Sequence, residues 1–291
     1  MHQTKLRFFD LEEHVKSSDN LIHHSKPLKK VFIDKVSPPI RYPGSKFRAS
    51  KLILPHLDVQ HSEYREPFLG SGAIFFTKKL SKYNWLNDID KDLIITFQTI
   101  SDKQQRDELI SRVKDFIPSK EAFEILKKNK YIDPIDIAYR YFVINRTAYS
   151  GIMNMPNWGF HPIKSVQPDK WPSRILEAGI KLEGSKITNL DFTEVILSPS
   201  ENDVLIFVDP PYFLADQKRA YLHSFKMTDH IRLMEVLKQT THKFCLTYDN
   251  CDDVKELYSW ANIHEYNWMY HTANSNATTR KMGRELIITN Y

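Results

Sequence analysis

Asp209, Pro210, Pro211 and Tyr212 follow directly on the apolar run Val204-Leu205-Ile206-Phe207-Val208. A short apolar run of this kind reads as a buried strand. Proline suits neither a strand nor a helix interior, so the chain stiffens where the strand ends. Two prolines fix two φ angles and push the residue before each toward extended conformations. An acid and an aromatic ring are thereby held in place before any substrate arrives, the situation in which orientation lowers a barrier. A second group of candidates lies earlier. Of 8 glycines, three fall in two short motifs: Gly44 in RYPGSK, and Gly70 and Gly72 in EPFLGSG. Glycines between a strand and a helix permit φ > 0 and close approach of a ligand to the backbone. The pattern is neither GxGxxG nor a Walker loop, which disfavours a phosphate ligand. A lone G-x-G is also compatible with an ordinary turn. Asp88, 16 residues after Gly72 at the end of the following strand, shifts that balance. A carboxylate there accepts hydrogen bonds from a ribose. A nucleoside-bearing ligand without phosphates fits, with S-adenosylmethionine the candidate.

These residues need a frame. EYREPFLGSGAIFFTKKL reads as strand end, glycine loop and helix, and NWLNDID as a second strand with acids at its C-terminal end. RYPGSKFRASKLILPHL predicts a turn and a short helix over about Lys46 to Leu54. Residues 91–130 have a charged helical pattern, whereas 131–188 read as less regular, rich in aromatics, Asn and Pro. SKITNLDF and NDVLIFVDPPY are strand-then-polar units. MTDHIRLMEVLKQ reads as a helix capped by Thr228 or Asp229 with Ile231, Met234 and Leu237 on one face. KFCLTYDN, NIHEYNWMYH and RELIITNY are further strands. Alternating strands and helices predict a mainly parallel α/β sheet. The last two strands, joined without a helix-length pattern, are expected to pair antiparallel at one edge. Ligands of such sheets sit at the carboxyl ends of the strands, which aligns the glycine loop, Asp88, Asp191 and Asp209 along one rim.

Composition narrows the function classes. A chain of 291 residues, 41% hydrophobic, suffices for one good core plus a smaller domain or large insertion. No run of 18 apolar residues is present, so no membrane span is expected, and the N-terminus does not read as a signal peptide. A cytoplasmic protein is expected. Cys245 and Cys251 do not suggest a disulfide framework, and no His/Cys cluster has zinc spacing; His23-His24 reads as a solvated turn. The net charge of +5 permits a polyanionic partner without proving one.

RYPGSK, EPFLGSG, LNDID, NLDF, DPPY and ELIITNY, in this order from about Arg41 to Tyr291, resemble the Dam-like, class-α N6-adenine DNA methyltransferases. The resemblance implies a Rossmann-like methyltransferase sheet with an antiparallel edge hairpin and a smaller, mostly helical target-recognition domain. The catalytic domain would comprise 38–99 and 189–291, with recognition at 100–188. Residues 1–37 form an extension of unknown role, a departure from relatives that begin near RYPGSK. The cofactor implied is S-adenosyl-L-methionine. Tyr42, Gly44 and Lys46 would close over its methionine end. Glu66, Pro67, Phe68, Gly70 and Gly72 would line its loop, and Asp88 would hold the ribose hydroxyls. Asp191 would meet the adenine amino edge, with Phe192 packing against the ring or simply filling the core.

For an adenine target, Asp209 accepts one N6 hydrogen, the Pro210 carbonyl accepts the other, and Tyr212 offers a face to a base flipped from the duplex. Cytosine C5 chemistry is disfavoured because neither cysteine sits in a Pro-Cys pair. Cytosine N4, an RNA adenine, or a catalytically silent DNA-binding protein on the same scaffold remain as alternatives. Double-stranded DNA is the expected partner; the sequence leaves open whether a restriction endonuclease accompanies the protein, and a monomer is the favoured state. YRYFVINRTAYSGIMNMPNWGFHPIKS resembles the family's recognition region; Arg146 and Tyr149 of its NRTAYSG stretch, with Asn154 just beyond it, are DNA-contact candidates. Residues of MNMPNWGFHP form a candidate groove-entering hairpin, while Trp158 and Phe160 equally suit a small core. Lys127, Lys128 and Lys130, and Arg280 and Lys281, are candidates for phosphate contact, the lysine run being equally a solvated helix face.

Overall fold

The computed structural model describes residues 35–213, 225–269 and 282–291. Most of the expected N-terminal extension, and Arg280 and Lys281, lie outside the described residues. Five strands pair in parallel: β1 (Glu63–Glu66), β2 (Tyr83–Asn87), β3 (Lys186–Thr188), β4 (Val204–Val208) and β5 (Lys243–Asp249). With β6 (Asn262–Met269) and β7 (Met282–Thr289) they form one seven-stranded sheet in the order β3-β2-β1-β4-β5-β7-β6. The chain moves outward from β1 to β3, then returns to β4 on the other side of β1. The β1/β4 boundary is therefore the topological switch point, where open α/β sheets bind ligands.

Side chains of β4 alternate between two cores, as the pleat requires. Leu205 and Phe207 join one apolar cluster, and Val204, Ile206 and Val208 the other. On the first face lie α1 (Ser50–Ile53), α2 (Ala73–Thr77), α3 (Lys91–Ser101), α4 (Lys103–Lys114), α5 (Lys120–Lys128), α6 (Pro134–Thr147) and α7 (Trp171–Leu182). On the second lie α8 (Phe192–Leu197), α9 (Met227–Gln239) and α10 (Asp252–Leu257). Segment 100–188 thus shares its core with β2, α3 and β4: Phe123, Phe142, Trp171 and Ile175 belong to the same cluster as Leu86, Phe97 and Leu205.

The antiparallel pair at one edge is present, with a refinement of order. The last strand slots between β5 and β6, pairing antiparallel with both. Leu286, Ile287 and Ile288 are buried on both faces, whereas Asn262, His264 and Glu265 of β6 are exposed. A strand apolar on both sides belongs inside a sheet, and a polar one belongs at its edge.

Three local expectations need correction. The helix after RYPGSK begins late, at Ser50, and passes into a 3-10 turn, Leu54–Leu57, with Pro55 in its first turn. Lys46 to Ala49 form turns, after Gly44 at φ +76°. The 131–188 region holds two full helices, α6 and α7. Asp133 caps α6 by accepting from the Ile135 N–H at 3.0 Å, and Pro134 starts it. Burial of Tyr141, Phe142, Val143 and Ile144 overrides their weak helix propensity. In α9 the buried face is His230, Leu233, Val236 and Leu237, while Ile231 is exposed. The polar His230 concealed this face in the pattern; it is buried because its ring nitrogen bonds the Tyr248 hydroxyl. At the start of α9 it is Asp229 that serves the cap, accepting from the Lys226 N–H at 2.9 Å.

Candidate active site

β1 delivers Glu66 to the rim, and Pro67 to Gly72 turn the chain into α2. The turn needs its glycines: Gly70 has φ +49° and Gly72 φ +67°. A Cβ on Gly70 would lie 3.1 Å from the Tyr42 ring, and one on Gly72 2.9 Å from Phe76. The first glycine admits the RYPGSK turn, and the second lets α2 close on its own start.

The acids and amides of the rim are first of all occupied with the backbone. Asp88 accepts from the Gly70 N–H at 2.8 Å and from the Asp90 N–H at 3.0 Å. It therefore holds the glycine loop against β2. Asp90 caps α3 by accepting from Asp92 and Leu93, and accepts from the Tyr141 hydroxyl at 2.9 Å. Asn87, fully buried, donates to the carbonyls of Pro67 (3.1 Å) and Leu190 (3.0 Å) and accepts from Leu190 N–H (2.9 Å). It ties the carboxyl ends of three strands together. In the sequence Asn87 is marked only by its place as the last residue of β2, directly before Asp88.

Asp191 caps α8, accepting from the Thr193 N–H at 2.9 Å, and pairs with Arg232 at 2.8 Å. Burial works to raise its pKa, but the Thr193 bonds and the Arg232 guanidinium outweigh it and hold the carboxyl below its ordinary value. The Arg232 guanidinium also lies 4.2 Å from the Phe192 ring centroid. Phe192 is packed against Phe68 (5.3 Å) and Phe225 (5.7 Å), so it serves the core and the cavity wall at once.

Glu66 is almost wholly buried. Burial pushes its pKa up to about 8; the Tyr64 hydroxyl, the Phe75 N–H and the Lys78 charge pull it down, and Asp209 pushes it further up. Lys78, above the Tyr64 ring at 4.1 Å, is brought down to about 7, chiefly by burial.

At the end of β4, Asp209 Oδ1 accepts from the Thr247 hydroxyl at 2.7 Å and lies 3.0 Å from Lys46 Nζ. That ammonium also donates to the Gly44 carbonyl at 3.0 Å and stands 4.4 Å from the Tyr212 ring centroid. The Tyr212 hydroxyl donates to Glu285 at 2.6 Å, and its ring rests on Tyr248. Glu285 was missed from sequence: only the antiparallel course of β7 sets it opposite Asp249 at the rim.

One cavity of about 220 Å³ opens on these elements. Its lining includes every cofactor candidate except Gly72, which lies just behind the loop, together with Asp209, Pro210 and Pro211. Tyr212 stands beside it through Lys46. Five aspartates, Asp88, Asp90, Asp191, Asp209 and Asp229, and the buried acid Glu66 face two cations, Lys46 and Arg232. An acid-rich wall with aromatic flanks suits a cationic, adenosine-bearing ligand and disfavours a phosphate, so the residues present fit S-adenosylmethionine.

The DNA-contact candidates divide. Arg146, in the last turn of α6, is 5% exposed. Its buried Nε has no hydrogen-bond partner among the described residues. Burial, with Arg41 and Arg174 nearby, lowers its pKa to about 9. Tyr149 is 54% exposed, and Asn154 is partly buried. The chain doubles back here: Ala148 bridges Trp158, and Ser150 and Met155 have positive φ. Trp158 packs on Phe123 and Phe160, which joins both aromatics to the core. Lys127 pairs with Glu124, and Lys128 and Lys130 are exposed. Asn145 was not anticipated. Its side chain accepts from Arg41 N–H (2.8 Å) and donates to the carbonyls of Arg41 (2.7 Å) and Gly151 (3.1 Å), clasping the 145–151 segment to the RYPGSK turn.

Among the described residues, no helix is long and apolar enough to cross a membrane, and no group of side chains could hold a metal ion. Three curated proteins are similar to the chain. A type II methyltransferase of Paramecium bursaria Chlorella virus NC1A is 23% identical over 81% of this chain and 91% of its own length. A type II methyltransferase of Lactococcus lactis subsp. cremoris is 26% identical over 82% of this chain and 91% of its own. A DNA N-6-adenine-methyltransferase of Escherichia phage P1 is 27% identical over 75% of this chain, the match spanning 30% of that longer protein. With residues 42–272 matching the family model as well, the chain belongs to the D12 class of N6 adenine-specific DNA methyltransferases.

Proposed function

We propose that the enzyme performs its adenine methylation on a base swung out of duplex DNA and held by Asp209, the Pro210 carbonyl and the ring of Tyr212. Adenine N6 is a poor nucleophile because its lone pair is delocalised into the ring. S-adenosylmethionine, the methyl donor of this class, supplies an electrophilic methyl group on a sulfonium. Asp209 accepts one N6 hydrogen and the Pro210 carbonyl accepts the other. Together they favour a more tetrahedral nitrogen and stabilise the positive charge that develops on it. No strong base is required, since the methylated amino group loses its extra proton readily. The observation that carries this reading is that Asp209, Pro210 and Pro211 border the same cavity as Tyr42, Glu66, Gly70, Asp88 and Phe192. Acceptors and cofactor walls open on one space.

Extruding the base costs a few kcal/mol of stacking and pairing. Stacking on Tyr212, about 1–3 kcal/mol by analogy with single-strand binders, offsets part of that. Residues 100–188 read the duplex. Arg146 takes a backbone phosphate, the ligand that suits a buried guanidinium beside Arg41 and Arg174 whose Nε has no partner among the described residues. The exposed Tyr149 and nearby Asn154 lie against the bases. The type II names of the viral and Lactococcus relatives support a restriction endonuclease acting at the same sequence.

Tritiated-methyl transfer to duplex DNA followed by nucleoside analysis tests the reading. N6-methyladenine is expected; label confined to cytosine or to RNA overturns it. Modified-base sequencing of DNA from cells expressing the protein then gives the recognition sequence.

A further inference from the structure

We propose that Lys46 is a placeholder for the target base: in the free enzyme its ammonium occupies the position between Asp209 and the Tyr212 ring that the adenine amino group later takes. The inference rests on the roles of Asp209 and Tyr212 above and assigns Lys46 to the base site, where the resemblance places it over the cofactor.

Three contacts define the position. Lys46 Nζ lies 3.0 Å from Asp209 Oδ1, donates to the Gly44 carbonyl at 3.0 Å, and sits 4.4 Å from the Tyr212 ring centroid. The side chain is only 7% exposed. Two further bonds hold its partners: the same Asp209 oxygen accepts from Thr247, and the Tyr212 hydroxyl donates to Glu285. The carboxylate and ring are therefore set before anything binds, and the ammonium lies between them. An N–H donor against Asp209 with the face of Tyr212 alongside is also what the proposed chemistry asks of N6.

The two cannot share the site. They compete for one carboxylate oxygen and one ring face. The amino group also gains positive charge during methyl transfer, and an ammonium at contact distance would oppose that charge in a water-poor site. Lys46 must leave as the base enters. Its construction allows this: lysine is a point charge on a flexible four-carbon stem, and it sits on a turn rather than inside a helix. Until then it keeps a partly buried carboxylate paired, which avoids an uncompensated charge, and gains from the tyrosine face.

The test compares Lys46→Met and Lys46→Arg with wild type, without cofactor, by fluorescence anisotropy. The two duplexes carry the sequence found by modified-base sequencing, one with adenine and one with an abasic site at the target position. The ratio of the two affinities isolates base entry from the general effect of losing a charge near DNA. Lys46→Met is expected to raise the preference for the adenine duplex by roughly tenfold, the factor that about 1.4 kcal/mol represents. Lys46→Arg, a longer-reaching cation with more donors, is expected to lower it. An unchanged or reduced preference in Lys46→Met, with weakened S-adenosylmethionine binding, overturns the proposal and returns Lys46 to the cofactor. If wild type leaves no N6-methyladenine in that sequence, the catalytic reading itself fails, an outcome distinct from failure of the placeholder alone.

Discussion

The catalytic rim and the 145–160 segment treat their polar groups in opposite ways. At the rim, Asp88, Asp90, Asp191, Asp209, Tyr212 and Glu285 are each bonded to named partners within the molecule. In the 145–160 segment, Arg146 is buried with an Nε that has no partner among the described residues, Tyr149 projects into solvent, and two non-glycine residues take positive φ. A buried polar atom without a partner costs free energy, and strained backbone concentrates at sites of function. The rim is thus organised in advance, while the 145–160 segment keeps polar groups that the proposed DNA contacts would complete.

The largest expected effect breaks the rim. Asp209→Ala should lower kcat by roughly 10²–10³, the loss typical of one transition-state electrostatic contact, with cofactor affinity changed little. Tritiated-methyl transfer and calorimetric titration measure the two. Equal activity in the variant would sink the proposed chemistry.

Glu285→Ala comes next. It removes the charged acceptor of the Tyr212 hydroxyl, a bond worth about 1.5–3 kcal/mol. A fall in kcat of about tenfold, with DNA affinity retained, is expected if this bond aims the ring; a change in affinity alone would argue against it.

A third experiment concerns pH. Glu66 has a folded pKa of about 8 against an ordinary 4.5, raised mainly by burial. Between those values the folded protein holds a proton that the unfolded chain has released. The stability linked to it is complete below about 4.5 and is lost as pH rises through about 8, at ~1.4 kcal/mol per pH unit. Lys78, lowered to about 7, acts with opposite sign but only above that pH. Burial also lowers His56, His61 and His230 from their ordinary 6.5, and these act with the opposite sign just below that value. The difference between wild type and Glu66→Gln in thermal melts between pH 5 and 7 is therefore what reports Glu66. Glu66→Gln should lose less stability than wild type as pH rises over that range, and parallel curves would remove the buried-acid account.

The smallest effect probes the other half of the comparison. Arg146→Ala should weaken duplex binding similarly for cognate and unrelated sequences and reduce the slope of log K against log salt by about 1. A loss confined to the cognate sequence would make Arg146 a base reader and sharpen the contrast between the two regions differently.

Much of this was legible from residue order. The prolines after β4, the glycines after β1 and the acid after β2 mark strand ends by local sterics, and parallel strands bring such ends to one rim. Less legible were features set by burial. Two helices within 131–188 and the true face of α9 depend on packing that overrides propensity, and His230 reads as polar until Tyr248 is found beside it.

The sequence by itself determined which residues stand at strand ends and how stiffly, because φ restriction, turn chemistry and alternation act over a few neighbours. The tertiary structure alone decided who meets whom across the sheet. Insertion of β7 between β5 and β6 carries Glu285 to Tyr212; the RYPGSK turn, clasped by Asn145, carries Lys46 to Asp209. Those partners are far apart along the chain, and their pairing depends on strand order and direction, which no local pattern encodes.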